Sequence, residues 1–335
     1  MYIGGGLGPF RHPPVHETIT LAALIQSDFM LDPTTTYINL ILDKRAEILE
    51  FLRGVVWNDD PSNLLFNNQG WFNPDNENYS RGIGKDWAVQ FADGAIFDAD
   101  STMNGWLGHK NMIARSHFGD LQFLHSMADA PGEAPEETKR KIMMWLQIMY
   151  RVALGETSSD VKLRDIKTSS NTLEPFYPLR ELFDEGTIPN ENDTIHTLLT
   201  SNGTYRKVMH DRRALGSCLH LLQDSYARGH CHRELLSDSR PKRYGKVMNF
   251  HSFRGQNAEE HQKYDFGDKE LDNVNVSDIS LYEDMDGCTD AMHASTKMIN
   301  FWMKKSPWDG EVREWLEDNI FAISPHVTPS NTRVD

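Results

Sequence analysis

Apolar residues recur along this chain at spacings of three and four, the mark of helices with one buried side. Ile38, Ile41, Leu42, Ile48, Leu49 and Leu52 predict a helix from the Pro33-Thr34-Thr35-Thr36 cap to about Arg53, ended by Gly54. Ile142, Trp145, Leu146, Ile148, Met149 and Val152 predict another over 136–154. Leu215, Leu219 and Leu222 mark a central helix from about Tyr205, closed near Gly229. Helices are also predicted over 16–29, 105–128, 285–304 and 311–320, with shorter ones near 174–184 and 192–199 and one carrying His261. No segment alternates convincingly as a strand, and 233–257 reads as basic and irregular. Residues 62–102, rich in Asn, Asp and Gly, read as a long ordered loop of the kind that is more often functional than idle. The expectation is an all-α fold, a single helical domain over 1–335, with a Gly-rich lead-in at 1–11 and a tail at 325–335.

Composition narrows the function. A net charge of −15 argues against a general nucleic-acid binder, whose footprint is a basic patch. The same charge suits cation binding, because buried carboxylates need a positive partner. Three cysteines are too few for a disulfide scaffold. Cys218 and Cys231 flank the central motif and are candidates for one bridge, or are small buried thiols. No apolar run approaches the ~18 residues that span a membrane. No signal peptide opens the chain. A secreted or exported bacterial protein is expected, by another route or with a leader already removed, and a cytoplasmic location is left open.

The chemistry lies in GSCLHLLQDSYARGHCHR, residues 216–233. His220 and Asp224 are four apart and share one side of a helix, with His230 just beyond its end. His261 and Asp265 repeat the spacing in HQKYD, with His251 as local competitor. Imidazole and carboxylate so placed can grip one divalent cation from a rigid wall. Upstream, GVVWNDDP offers Asp59 or Asp60, and His16 opens the first helix as a ligand or a cap. His117 has two rivals at eight-residue spacing, His109 and His125. His196, His210, His293 and His326 stand alone.

Taken in order, these residues resemble the zinc-dependent phospholipase C superfamily, which includes the fungal single-strand-specific nucleases. HLLQDSYARGH matches the family's His, three residues, Asp, five residues, His; HQKYD, WND and the His117-Phe118 pair match further elements. HETIT and GVVWNDDP look closest to the bacterial zinc metallophospholipases C. The resemblance implies a helical fold holding three zinc ions in one cleft. One ion would take Asp59, His117, His220 and Asp224; a second would take His230, His261 and Asp265; the third would take His16 and share Asp224. The family completes the third site with an N-terminal Trp that this chain lacks, and His12 is the candidate replacement. The resemblance also suggests Asp59 as general base. Asn58, Asp60 and Ser225 are candidates to orient the ligands.

The leading expectation is a phospholipase C acting at a phospholipid surface, cleaving the glycerol-side phosphodiester, most often of phosphatidylcholine in the family. Trp57, Phe118 and Tyr226 are candidates for a choline pocket. Two alternatives stand beside it: a single-strand nuclease and 3′-nucleotidase on the same scaffold, and a non-catalytic module in which zinc staples helices. The carboxylate-rich, thiolate-free ligand set weighs against the staple.

Overall fold

The computed structural model describes residues 15–36, 39–40, 46–64, 85–96, 110–166, 179–184, 186–201, 208–257, 261, 263–264 and 274–333. They are predominantly helical. The principal helices are α1 (Val15–Gln26), α2 (Ala46–Trp57), α3 (Lys85–Ile96), α4 (Met112–Phe118), α5 (Pro135–Leu154), α6 (Ile195–Thr200), α7 (His210–Asp224) and α8 (Cys288–Met303). A hairpin of β1 (Cys231–Ser237) and β2 (Arg243–Phe250) follows α7. His12, His109 and Asp265 lie outside the described residues, as does much of the 62–102 stretch, where α3 appears in place of part of the expected loop.

Helix α7 is the axis, packed between α2, α5 and α8. Two glycines let α2 and α7 meet backbone to backbone. A Cβ at Gly54 would fall 2.2 Å from the Arg213 carbonyl oxygen, and one at Gly216 would fall 2.5 Å from that of Phe51. Gly54 therefore does not end its helix, as the sequence suggested; α2 runs on to Trp57 because the close crossing stabilises it there. Arg213 and Glu50 close the same interface with a buried two-pronged ion pair at 2.9 Å. Trp57 stacks on Trp145 at 5.4 Å, and its indole N–H donates to the Leu198 carbonyl. Helix α1 is buried from Val15 through Leu24, apolar and polar positions alike, as befits a helix enclosed by others.

Three expectations are corrected. The hairpin makes the fold not purely helical. Its register shifts at three places, which breaks the two-residue alternation that would have revealed it. The expected helix over 105–128 stops at Phe118, and a 3-10 turn, Gln122–His125, follows. The segment after Pro325 is no loose tail. Thr328 N–H bonds to the Met248 carbonyl, while Ser330 accepts from the Gly132 N–H and donates its own N–H to the Glu133 carbonyl in the turn before α5. Cys218 and Cys231 are buried thiols with no disulfide between them.

Candidate metal centre

The crossing of α2 and α7 sets the centre. Asp59 follows α2 directly, while His220 and Asp224 occupy the facing end of α7. All three are 1% exposed or less. The close approach at Gly54 and Gly216 brings Asp59 Oδ1 within 3.8 Å of His220 Nε2. Of the two acids, Asp59 faces the imidazoles. Asp60 Oδ1 accepts from the Leu64 backbone N–H at 2.9 Å.

Asp224 is the hub. Its Oδ2 lies 2.8 Å from His220 Nε2, 2.9 Å from His125 Nδ1 and 3.4 Å from His230 Nδ1. Its Oδ1 lies 3.2 Å from His16 Nε2. Burial alone would raise the Asp224 pKa, but His220, His230 and His16 together hold it well below the usual carboxylate range. His16 is shifted upward, because Asp224 and Asp59 outweigh its own burial. Burial pushes His230 down to about 3 and holds His117 and His261 well below the ordinary imidazole value, so these three are neutral donors at neutral pH.

His125 is the residue that sequence reasoning set aside. The break after Phe118 makes it a companion of His117 instead of a rival, with ring centroids 5.0 Å apart. Local chemistry builds the break. Arg115 donates to both Asp120 oxygens at 2.8 Å, and the Gln122 amide donates to the carbonyls of Gly119 and Asp129. Ser126, in the left-handed region, ends the turn and donates its hydroxyl to the Leu221 carbonyl on α7. The Gly119-Asp120 step was the available signal for a helix end.

Five of the imidazoles at the centre share one arrangement: Nδ1 is held by a backbone or glutamine amide oxygen. His220 bonds to the Val55 carbonyl at 2.6 Å, His117 to that of Ile113 at 2.6 Å, and His230 to that of His125 at 2.8 Å. His16 bonds to Gln223 Oε1 and His261 to Gln256 Oε1, both at 2.8 Å. Both glutamines are fixed by their amide N–H groups, Gln223 on Thr20 and Ser295, Gln256 on the Gly229 carbonyl. An Nδ1–H held this way presents the Nε2 lone pair, the form that binds a metal. The orienting groups are thus Gln223, Gln256 and backbone carbonyls. Asn58 instead ties Leu124 to Ser217, and Ser225 bonds to the Leu222 carbonyl and Arg233.

The donor set fits a divalent cation. Three buried groups place their ligand atoms within 4.8 Å of one another: His16, Asp59 and His220; Asp59, His117 and His125; His125, His220 and Asp224. Asp59 Oδ1 and His125 Nε2 are buried without a hydrogen-bond partner. Unmatched lone pairs converging on two buried carboxylates call for a cation. His230 and His261 lie beside this group with rings 4.9 Å apart. Their expected partner Asp265, like the His12 expected beside His16, is outside the described residues.

The candidate substrate residues separate. Trp57 is 1% exposed in the core and offers no open face. Tyr226 is 8% exposed, and its face is taken by the Arg233 guanidinium at 4.2 Å, which leaves no room for a quaternary ammonium. Phe118 does border the centre. With Trp87, Phe91 and Phe253 it forms a chain of ring contacts at 4.9–5.2 Å that touches His117 at one end and His261 at the other. The Trp87 indole also donates to the Asp59 carbonyl at 2.9 Å.

No described helix is long and apolar enough to cross a membrane. Comparison with protein-family models, with curated proteins and with solved structures finds no match for this chain.

Proposed function

We propose that this protein is a zinc-dependent phosphoester hydrolase of the phospholipase C type. The observation that carries the reading is the convergence of His16, His125, His220 and His230 on the buried Asp224, with Asp59 opposite. An all-nitrogen and oxygen set shared among overlapping groups is the donor chemistry of a catalytic zinc cluster. In this reading His117, His125 and His220 hold metal with Asp59 and Asp224, His16 shares Asp224, and His230 and His261 hold a neighbouring ion. When bound, zinc would polarise the phosphoester and acidify a water towards neutral pH.

The chain's own groups do the rest. Asp59, holding metal through one carboxylate oxygen, would offer the other to the proton of the attacking water. Trp87 fixes the Asp59 backbone and so limits its travel. The ring chain of Trp87, Phe91, Phe118 and Phe253 offers an apolar border that suits a diacylglycerol leaving group. It would also suit a stacked base, which keeps the single-strand nuclease as the second reading.

The test is phosphocholine release from phosphatidylcholine vesicles, with and without a zinc chelator. Release that the chelator stops and zinc restores is expected. Zinc-loaded protein that leaves the vesicles intact but cuts single-stranded DNA would move the assignment to the nuclease branch. Inactivity on both would sink the hydrolase reading.

A further inference from the structure

A cavity of about 270 Å³ lies between the β1–β2 hairpin and the turn that follows α7. Its walls include Tyr226, Arg228, Arg233, Lys242 and Tyr244, and none of the clustered histidines and aspartates of the metal centre. In a chain of net charge −15, three cations around one cavity are an exception. The acids beside them are already engaged: buried Asp290 is held by Arg243 at 2.6 Å and by the Tyr244 backbone N–H at 2.8 Å. Asp286 is shared, 3.5 Å from Arg228 and 3.1 Å from Lys242. Asp238 lies 3.9 Å from Lys242 but is 80% exposed.

Arg233 is the decisive residue. It is 5% exposed, and among the described residues no carboxylate pairs with it. Its Nε donates to the Ser225 carbonyl, Nη2 to the Ser225 hydroxyl at 3.0 Å and Nη1 to the Gly245 carbonyl at 2.9 Å. Of the five guanidinium N–H groups, one on each terminal nitrogen is left for the neighbouring Cys231 sulfur, a weak acceptor, and for a ligand. The Tyr226 ring face at 4.2 Å offsets this buried cation in part, and an anion would complete the compensation. Guanidinium donors and a nearby ammonium make a set that recognises phosphate.

We propose that this cavity binds a phosphate-bearing anion at a site separate from the metal centre. The site does not depend on the hydrolase reading, since it uses none of the metal-centre residues. It does sit against them: Arg233 grips Ser225, the residue after Asp224, and β1 begins directly after His230. A bound anion would therefore brace the end of α7 from behind.

The experiment is calorimetric titration of the metal-loaded protein with inorganic phosphate, and flotation with vesicles containing phosphatidic acid. The wild type is expected to bind phosphate in one of the two forms at this site. Lys242→Gln and Arg228→Gln, both at the rim, should each weaken that binding about tenfold, the worth of one charge-assisted hydrogen bond. Asp286→Asn should strengthen it several-fold, because it removes the competing carboxylate. None of the three should change metal content. Titration by free phosphate alone identifies a small phosphorylated ligand, and flotation identifies a lipid headgroup. Phosphate binding unchanged in all three variants, or a response to metal removal alone, would overturn the proposal.

Discussion

Among the described residues, two groups of imidazoles meet with ring centroids about 5 Å apart. Around Asp224, His125 and His220 lie with centroids 5.0 Å apart, and Nδ1 of five rings is held by a backbone or glutamine amide oxygen. At the other end of α7, His196 and His210 also lie 5.0 Å apart, and Nδ1 of the one faces Nε2 of the other at 2.7 Å. The rings are equally close, but among the described residues only the first group shares buried carboxylates and completes three-residue donor sets. In the second group one imidazole N–H satisfies the other imidazole, and the pair serves to tie α6 to the start of α7. Carboxylates and oriented tautomers, more than histidine proximity, separate a metal centre from a packing contact.

That contrast can be broken from either side. Asp224→Asn should have the largest effect, lowering metal affinity by more than about 100-fold, beyond what loss of a merely supporting group gives. Metal content after dialysis reads this out, and a variant that keeps its full complement would remove Asp224 from the centre. Asp59→Asn should come next, cutting hydrolysis about 10³-fold or more while leaving the melting temperature within about 3 °C. If the metals only staple helices, the same change will instead appear chiefly as a lower melting temperature. Gln223→Leu leaves every ligand in place but frees the His16 ring. It should cost ~10–100-fold in metal affinity or activity, measured as the zinc concentration that restores half-maximal rate.

The smallest effect belongs to the other pair. Burial, His196 and Arg213 push the His210 pKa down to about 4, so the unfolded chain binds the extra proton between pH 6.5 and pH 4. The wild type should therefore lose stability as pH falls through that window, and His210→Gln should lose less. Urea midpoints across the range check the sign. His210→Gln should leave metal content and activity unchanged, and a loss of zinc in this variant would erase the distinction between the two groups.

Much of this contrast was legible in the sequence. The four-residue spacing of His220 and Asp224, the WND step and the apolar periodicities of α5, α7 and α8 are local signals, and these helices stand close to where the pattern puts them. The rest depends on contacts between distant parts of the chain. His125 reaches the centre through a break fixed by Arg115 and Asp129, not through helical phase. The partnership of His196 and His210 crosses fourteen positions and two helices. Gln223 looks like any polar position on a helix until Thr20, Ser295 and His16 close around it. The hairpin hid because its bulges scramble the alternation.

The glycine crossing has a consequence for ion choice. Because α2 and α7 touch through bare backbone at Gly54 and Gly216, the gap between Asp59 and His220 is a fixed gauge with no side chain left to trim. A methyl group at Gly216 would act as a wedge, spreading the jaws by on the order of 1 Å, about half of a zinc–nitrogen bond. A cleft so widened should rank larger cations above smaller ones, making two hydrogens at a helix crossing the calibration of the candidate metal site.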